Sequence, residues 1–433
     1  MGLIMKNVDL KKRTAIVYDY GYFLEFAIKL GEQFGKVYYF KPWKDEFQSN
    51  KLKSVGEGME NIERIYDFYD YLKPQFFDKE DDTIIFPGVN DGDLQEFLRE
   101  LGYSVWGSCR GEDIETKRFE AKRFFKEIGL ATNKVREIVG TQNLIEFLKK
   151  NDNKFIKTNI RLDFETYHHV NYHLSTSWIY DLQKNLGASN SDYKFVVEDA
   201  IDGEGVVETG WDGYTIDGQF PTKSMMGYEI KDAGYAMSIK DYSQISPIIT
   251  DVNKKLAPYL RETKYRGFFS SEIRVGKDKI PYLLDPACRL GSPPNELYQE
   301  MIANLGEIIY WGSRGIMVEP EYKAKFGVEC MMTSDYVAEK NDLPIEFPAE
   351  IRPWVKLKNA KMVDGKYWIV NQPMEFPEIG AIVAIGDTLE EAIEKLKGYA
   401  EQIKGIRLSV STEALDSSVE EIKKGEALGI QFF

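Results

Sequence analysis

Residues Tyr265 to Gly291 read YRGFFSSEIRV, then GKDK, then IPYLLDPACRLG. The two outer runs are strand-like and GKDK supplies a turn, so the stretch predicts a two-stranded hairpin. Each strand carries one acid, Glu272 on the first and Asp285 on the second, and Arg289 follows soon after. Acids paired across neighbouring strands can hold Mg²⁺ between them, and a guanidinium beside them can meet phosphate oxygens. The same pattern also describes an ordinary hairpin whose charges face solvent. Taken alone, the hairpin leaves both readings open.

The rest of the chain narrows the choice. It has 433 residues, 43% hydrophobic and 29% charged, which is ordinary for a globular protein and enough for two or three domains. A net charge of −14 argues against a nucleic-acid-binding surface, which needs clustered Lys and Arg. Cys109, Cys288 and Cys330 are too few and too scattered for a disulfide framework, so a reducing cytoplasm is the expectation. The start, MGLIMKNVDLKKR, lacks a signal peptide's apolar run, and no stretch is long and apolar enough to suggest a membrane span.

Strands alternate with amphipathic helices along the chain: TAIVYDY, FLEFAIKLGEQFG and KVYYF read as strand, helix and strand. Apolar Ala121, Phe124, Phe125 and Ile128 recur at helical spacing, which predicts a single helix over Glu112–Ile128 that Gly129 can end. Thr388 and Glu391 form a capping box ahead of a stripe from Leu389 to Ile403.

Three segments, in order, resemble the ATP-grasp fold and specifically phosphoribosylamine-glycine ligase. Asp285, Arg289 and Gly291 fall on the E, R and G of that family's E-F-N-x-R-F-G pattern. Asp81–Thr132 is similar to its stretch in which a strand, a G-P-E-like turn and a helix lead to F-G-P-S and a second helix ending in G-I-P-T, and Ile379–Gly405, with GDTLEEA, to its small C-terminal domain. The resemblance implies an α/β (α+β) chain with three domains: an N-terminal parallel-sheet domain over 1–112, an ATP-grasp domain over 113–330 and a C-terminal α+β domain over 331–433.

It also implies an ATP site that uses Mg²⁺ or Mn²⁺. Lys157, in KFIKTNI, stands where the family's V-x-V-K lysine meets phosphate, and Arg118, or less closely Lys117, takes the place of its S-K lysine. In YKFVVEDAIDGEGVV, Glu198, Asp199 and Glu204 align with acids used for the ribose hydroxyls and amino groups. Glu272 and Asp285 would hold the metal, and Arg289 would stabilise the transferring phosphoryl group. The activity implied is an ATP-dependent carboxylate-amine ligase that forms ADP and phosphate through an acyl phosphate. Its partners would be a small-molecule carboxylate and an amine.

Several positions depart from the family. RLDFETYHHVNYHLSTSW replaces its glycine-rich flap and holds all three histidines, His168, His169 and His173. On a helix, His169 and His173 would share a face as a metal pair, against the commoner solvated or stacked pair. The family's metal-binding asparagine is Ala287 here, and its D-P-E is Ser292, Pro293 and Pro294. VYDYGYFLEF replaces the glycine-rich loop that approaches a sugar phosphate, and Tyr18, Tyr20, Tyr22 and Phe23 suit a flat or apolar group instead. An acceptor other than phosphoribosylamine follows. The alternatives are a degenerate binding or regulatory relative without turnover, and a ligase that joins amino acids.

Overall fold

The computed structural model of the chain describes residues 8–42, 54–158, 166–203, 205–230, 233–339, 341–371 and 378–433. Near the N-terminus the strands Thr14–Tyr18, Lys36–Phe40, Glu63–Ile65, Thr83–Ile85 and Val105–Trp106 form an all-parallel sheet in the spatial order third, second, first, fourth, fifth. Residues 15–17 (AIV) and 84–85 (II) are apolar on both sides because a parallel sheet is covered on both faces. Ala15 and Val17 join one core with Phe26 and Leu30, while Ile16 and Ile84 join another with Phe68 and Leu98. The direction of winding reverses beside Thr14–Tyr18, which places that strand's carboxyl end at a topological switch point.

The centre of the molecule is a nine-stranded sheet. The hairpin forms as expected: Arg266–Val275 pairs antiparallel with Tyr282–Ala287, and Glu272 sits directly opposite Asp285, with a register shift between Glu272 and Ile273. Val207–Ile216 flanks the hairpin, followed by Lys223–Ile230 and Gly234–Asp241. Phe326–Ser334 then pairs with Gly234–Asp241 on one side and Glu378–Gly386 on the other. This shared strand spans the division expected after residue 330, and a single sheet runs through both segments.

A small lobe stands over one end of the central sheet. Its antiparallel strands Val135–Val139, Lys194–Asp199, Lys154–Thr158 and Thr166–His169 pack against the helices Thr141–Leu148 and Tyr172–Leu186 around Ile138, Leu144, Ile156 and Phe195. Among the described residues no helix is long and apolar enough to cross a membrane.

Two expectations need correction. The single helix over Glu112–Ile128 is instead a 3₁₀ turn, Cys109–Glu112, a short helix, Asp113–Thr116, and a second helix, Arg118–Glu127. Lys117, at φ −104° and ψ 66°, breaks the run. The break lets Glu115 reach Arg289 while Arg118 turns to the lobe, and contacts of this kind override helical spacing.

The histidine pair on a common helix face is the other correction. His168 and His169 lie on the strand Thr166–His169, where neighbours point to opposite faces, and His173 lies on the helix that follows. His168 stacks on Phe155 at 4.5 Å. His169 is buried, with Nδ1 2.7 Å from the Ser175 hydroxyl and Nε2 3.2 Å from the Leu148 carbonyl, and burial lowers its pKa. Of the capping box, the Glu391 amide donates to Thr388 Oγ1 as expected, while the Glu391 carboxylate accepts from the amide of Asp387, one residue before the cap.

Candidate active site

The lobe and the central sheet enclose a cleft of about 270 Å³. Arg118, Lys157, Glu198, Asp199, Glu272, Asp285 and Arg289 all line it. Residues far apart in sequence thus meet on one surface, while Glu204 lies outside the described residues. Lys117 points elsewhere, being largely exposed and paired with Asp113 at 2.8 Å.

Strand alternation explains the placement of the lysine. Ile156 enters the lobe's core, so Lys157 faces the cleft. Its ammonium bonds the Asp285 carboxylate and lies 3.4 Å from Glu198, which joins lobe to hairpin. Burial disfavours the Lys157 ammonium, but Asp285 and Glu198 outweigh it and raise the pKa. Burial likewise works to raise the pKa of Asp285, yet Lys157, Lys122 and Arg118 hold this carboxyl well below the usual range. Asp285 is therefore a fixed anion at any ordinary pH.

Glu272 behaves in the opposite way. Burial pushes its pKa far up, and the neighbouring carboxylates of Glu208, Glu229 and Asp285 add to the shift. Among the described residues it forms no ion pair. Asp285 is paired with Lys157 and Glu208 with Arg274, so the uncompensated charge is that of Glu272, and a divalent cation would supply its counterpart. Among the described residues no group of three or more His, Cys, Asp or Glu side chains is arranged to hold a metal, so the fit is to an ion held by one or two carboxylates that keeps several waters.

The remaining expected residues are more committed than the sequence suggests. Glu198, only 1% exposed, accepts from Asn133 Nδ2 at 2.9 Å and sits 3.5 Å from Lys122. Asp199 pairs with Lys154 at 3.0 Å and stays partly exposed. Arg289 Nε donates to Glu115 at 2.8 Å.

Sequence reasoning missed Lys122, Glu115, Asn133 and Phe155. Lys122 is 1% exposed, and its ammonium donates to the Asn133 side chain and the Leu283 and Leu284 carbonyls. A signal for it exists, because it follows Arg118 by one helical turn. Ala287, Ser292 and Pro293 also line the cleft, so the departures from the family pattern lie on its wall. The Tyr18–Phe23 loop does not line it. That loop packs at the switch point, where the Tyr20 hydroxyl donates to Asp91 at 3.1 Å and Gly21 abuts Asn359, the neighbour of Lys358, whose ammonium donates to Ser292 Oγ at 2.7 Å.

A parallel-sheet domain, a small antiparallel lobe over a broad antiparallel sheet, and a cleft of acids and cations between them define the ATP-grasp fold, and this chain has it. Among solved structures it is similar to phosphoribosylamine-glycine ligase from Thermotoga maritima (TM-score 0.65, 18% identity, covering 92% of this chain and 98% of that one). It is also similar to the biotin carboxylase domain of 2-oxoglutarate carboxylase from Hydrogenobacter thermophilus, solved with Mg·ADP, ADP and bicarbonate (TM-score 0.65, 10% identity, 96% and 98%). A third is L-amino acid ligase from Bacillus licheniformis (TM-score 0.58, 13% identity, 91% and 98%). No protein-family model matches the chain, and no curated protein matches it either.

Proposed function

We propose that this protein is an ATP-dependent carboxylate-amine ligase that works through an acyl phosphate and releases ADP and phosphate. The observation that carries the reading is the convergence of Lys157, Arg118, Glu272, Asp285 and Arg289 on one cleft of an ATP-grasp fold. Lys157 and Arg118 bind phosphate oxygens, and Lys122 and Glu198 beneath them fix the position of Lys157. Asp199 holds the ribose, and the Phe155 ring offers a flat face to the base. Glu272 and Asp285 hold Mg²⁺, which neutralises triphosphate charge when bound. Arg289, steadied by Glu115, meets the phosphoryl group as it transfers. The protein contributes positioning and charge neutralisation, the main requirements of phosphoryl transfer.

The acceptor differs from phosphoribosylamine, since bulky aromatic side chains occupy the loop at the switch point. The three cysteines are free and buried, which favours a reducing cytoplasm. The test is a screen for phosphate release with Mg·ATP against panels of carboxylates and amines, with mass spectrometry of the products. Release that requires both a carboxylate and an amine, with a condensed product, is expected. Release indifferent to both would contradict the reading.

A further inference from the structure

One acid on the cleft wall has no part in the nucleotide site. Asp212 lies on the strand Val207–Ile216, whose side chains alternate between faces, so Glu208, Gly210 and Asp212 share the cleft side. Gly210 is opposite Glu272, and Asp212 is opposite Ser270, about 7 Å further along the strand. Glu208, on the other side of Gly210, pairs with Arg274, whose Nη1 donates to the Ile201 carbonyl in the connection between lobe and sheet. Asp212 is thus displaced from the metal acids in the direction away from that connection.

Its surroundings are one-sided. Asp212 is 7% exposed, lines the cleft and accepts a hydrogen bond from the Tyr235 hydroxyl. The titratable groups facing it are Tyr235 on Gly234–Asp241, the next strand but one in the sheet, Tyr298 on the helix Asn295–Met301, and Tyr322. It forms no ion pair among the described residues. A buried carboxylate without a cation is costly, and here only tyrosine and serine hydroxyls compensate it. A ligand that brings an ammonium group would complete the arrangement.

We infer that Asp212 is the site's amine-binding carboxylate and general base: it holds the ammonium of the acceptor and takes one of its protons. The inference rests on the ligase reading and names the acceptor as a primary or secondary amine that binds protonated. In the step itself, R–NH₃⁺ gives a proton to Asp212, and the freed nitrogen lone pair forms the C–N bond at the acyl-phosphate carbon. The C–O bond to phosphate breaks, and the second nitrogen proton leaves on the departing phosphate, giving amide, HPO₄²⁻ and protonated Asp212. Burial, opposed by hydrogen bonds from Tyr235 and Ser270, raises the Asp212 pKa above the ordinary carboxyl value.

Hydroxylamine tests this, because it is uncharged at neutral pH and captures an acyl phosphate without help from a base. Wild-type protein, Asp212→Asn and Tyr235→Phe would be given Mg·ATP with a mixture of the twenty common amino acids and simple mono- and dicarboxylates as carboxylates. Amino acids, ethanolamine and putrescine, or hydroxylamine, would serve as nucleophiles. For Asp212→Asn the amide-forming rate should fall about 10²-fold or more, while hydroxamate formation stays within about threefold of wild type. Tyr235→Phe, which removes a hydrogen bond that favours the Asp212 carboxylate, should shift the acid limb of the amide pH profile upward, a change that a purely structural residue would not cause. Equal loss of amide and hydroxamate in Asp212→Asn, or loss of neither, would overturn the role of Asp212 and leave the ligase reading standing. If wild-type protein makes neither product with any probe, the ligase reading fails and this inference fails with it.

Discussion

The cleft places opposite charges where each changes its neighbour's chemistry. Lys157 and Asp285 lock each other in the charged form across the gap between lobe and sheet, while Glu272, one strand away, is crowded by acids. Bound Mg·ATP would replace this internal pairing, with the triphosphate taking the lysine and the metal taking the carboxylates. Asp285→Asn removes the fixed anion while keeping its shape. Turnover should fall roughly 10²-fold or more, the scale of one preorganised electrostatic group, and metal-free nucleotide binding should survive. Steady-state kinetics with parallel calorimetry checks this, and a rate within about twofold of wild type would remove Asp285 from the metal site.

Glu112 links two elements by a charge that titrates. Its carboxylate accepts from the amides of Asn90 and Gly92, both at 3.1 Å, at the start of the helix Gly92–Glu100, and from Ser108 Oγ at 2.9 Å. Burial, against those hydrogen bonds, raises its pKa from 4.5 to about 7. The folded state therefore binds this proton more tightly than the unfolded state does. The resulting stabilisation is complete below about pH 4.5 and is lost as pH rises through about 7. Between pH 5 and pH 8, urea unfolding should show wild type losing more stability than Glu112→Gln, by up to roughly 3 kcal/mol. Parallel pH dependences in the two proteins would refute the assignment.

The loop at the switch point makes a separate claim. Phosphoribosylamine with glycine should yield no product above background by mass spectrometry, because Tyr18, Tyr20 and Tyr22 stand where a phosphate loop needs glycine. Efficient synthesis of glycinamide ribonucleotide would restore the plain family activity.

These elements also show what the sequence discloses. The hairpin was legible because two strand-like runs flank a turn, and Lys157 because it stands near the end of an apolar strand. The break at Lys117 was not, since contacts from Glu115 and Arg118 across the fold decide it. Lys122 escaped notice because a buried lysine looks like a solvated one until the carbonyls of Leu283 and Leu284 come beside it. Asp212 was hidden for a similar reason: its lack of a cation partner is a property of four separate segments.

The whole molecule is arranged around the joint between lobe and sheet. The lobe has its own core, and Lys157 crosses to the central sheet through Asp285, while Arg118 donates to the Thr158 carbonyl at 3.2 Å. A ligand in the cleft would touch both bodies and hold them together. The most direct measurement is a calorimetric titration of Mg·ATP into wild-type protein and the Lys157→Ala, Arg118→Ala double variant, paired with thermal melts. One nucleotide should bind per wild-type chain, and at a hundredfold the dissociation constant it should add about 2.7 kcal/mol of stability, an effect the double variant loses. No heat and no melting shift at millimolar Mg·ATP, or equal affinity in the double variant, would contradict the account.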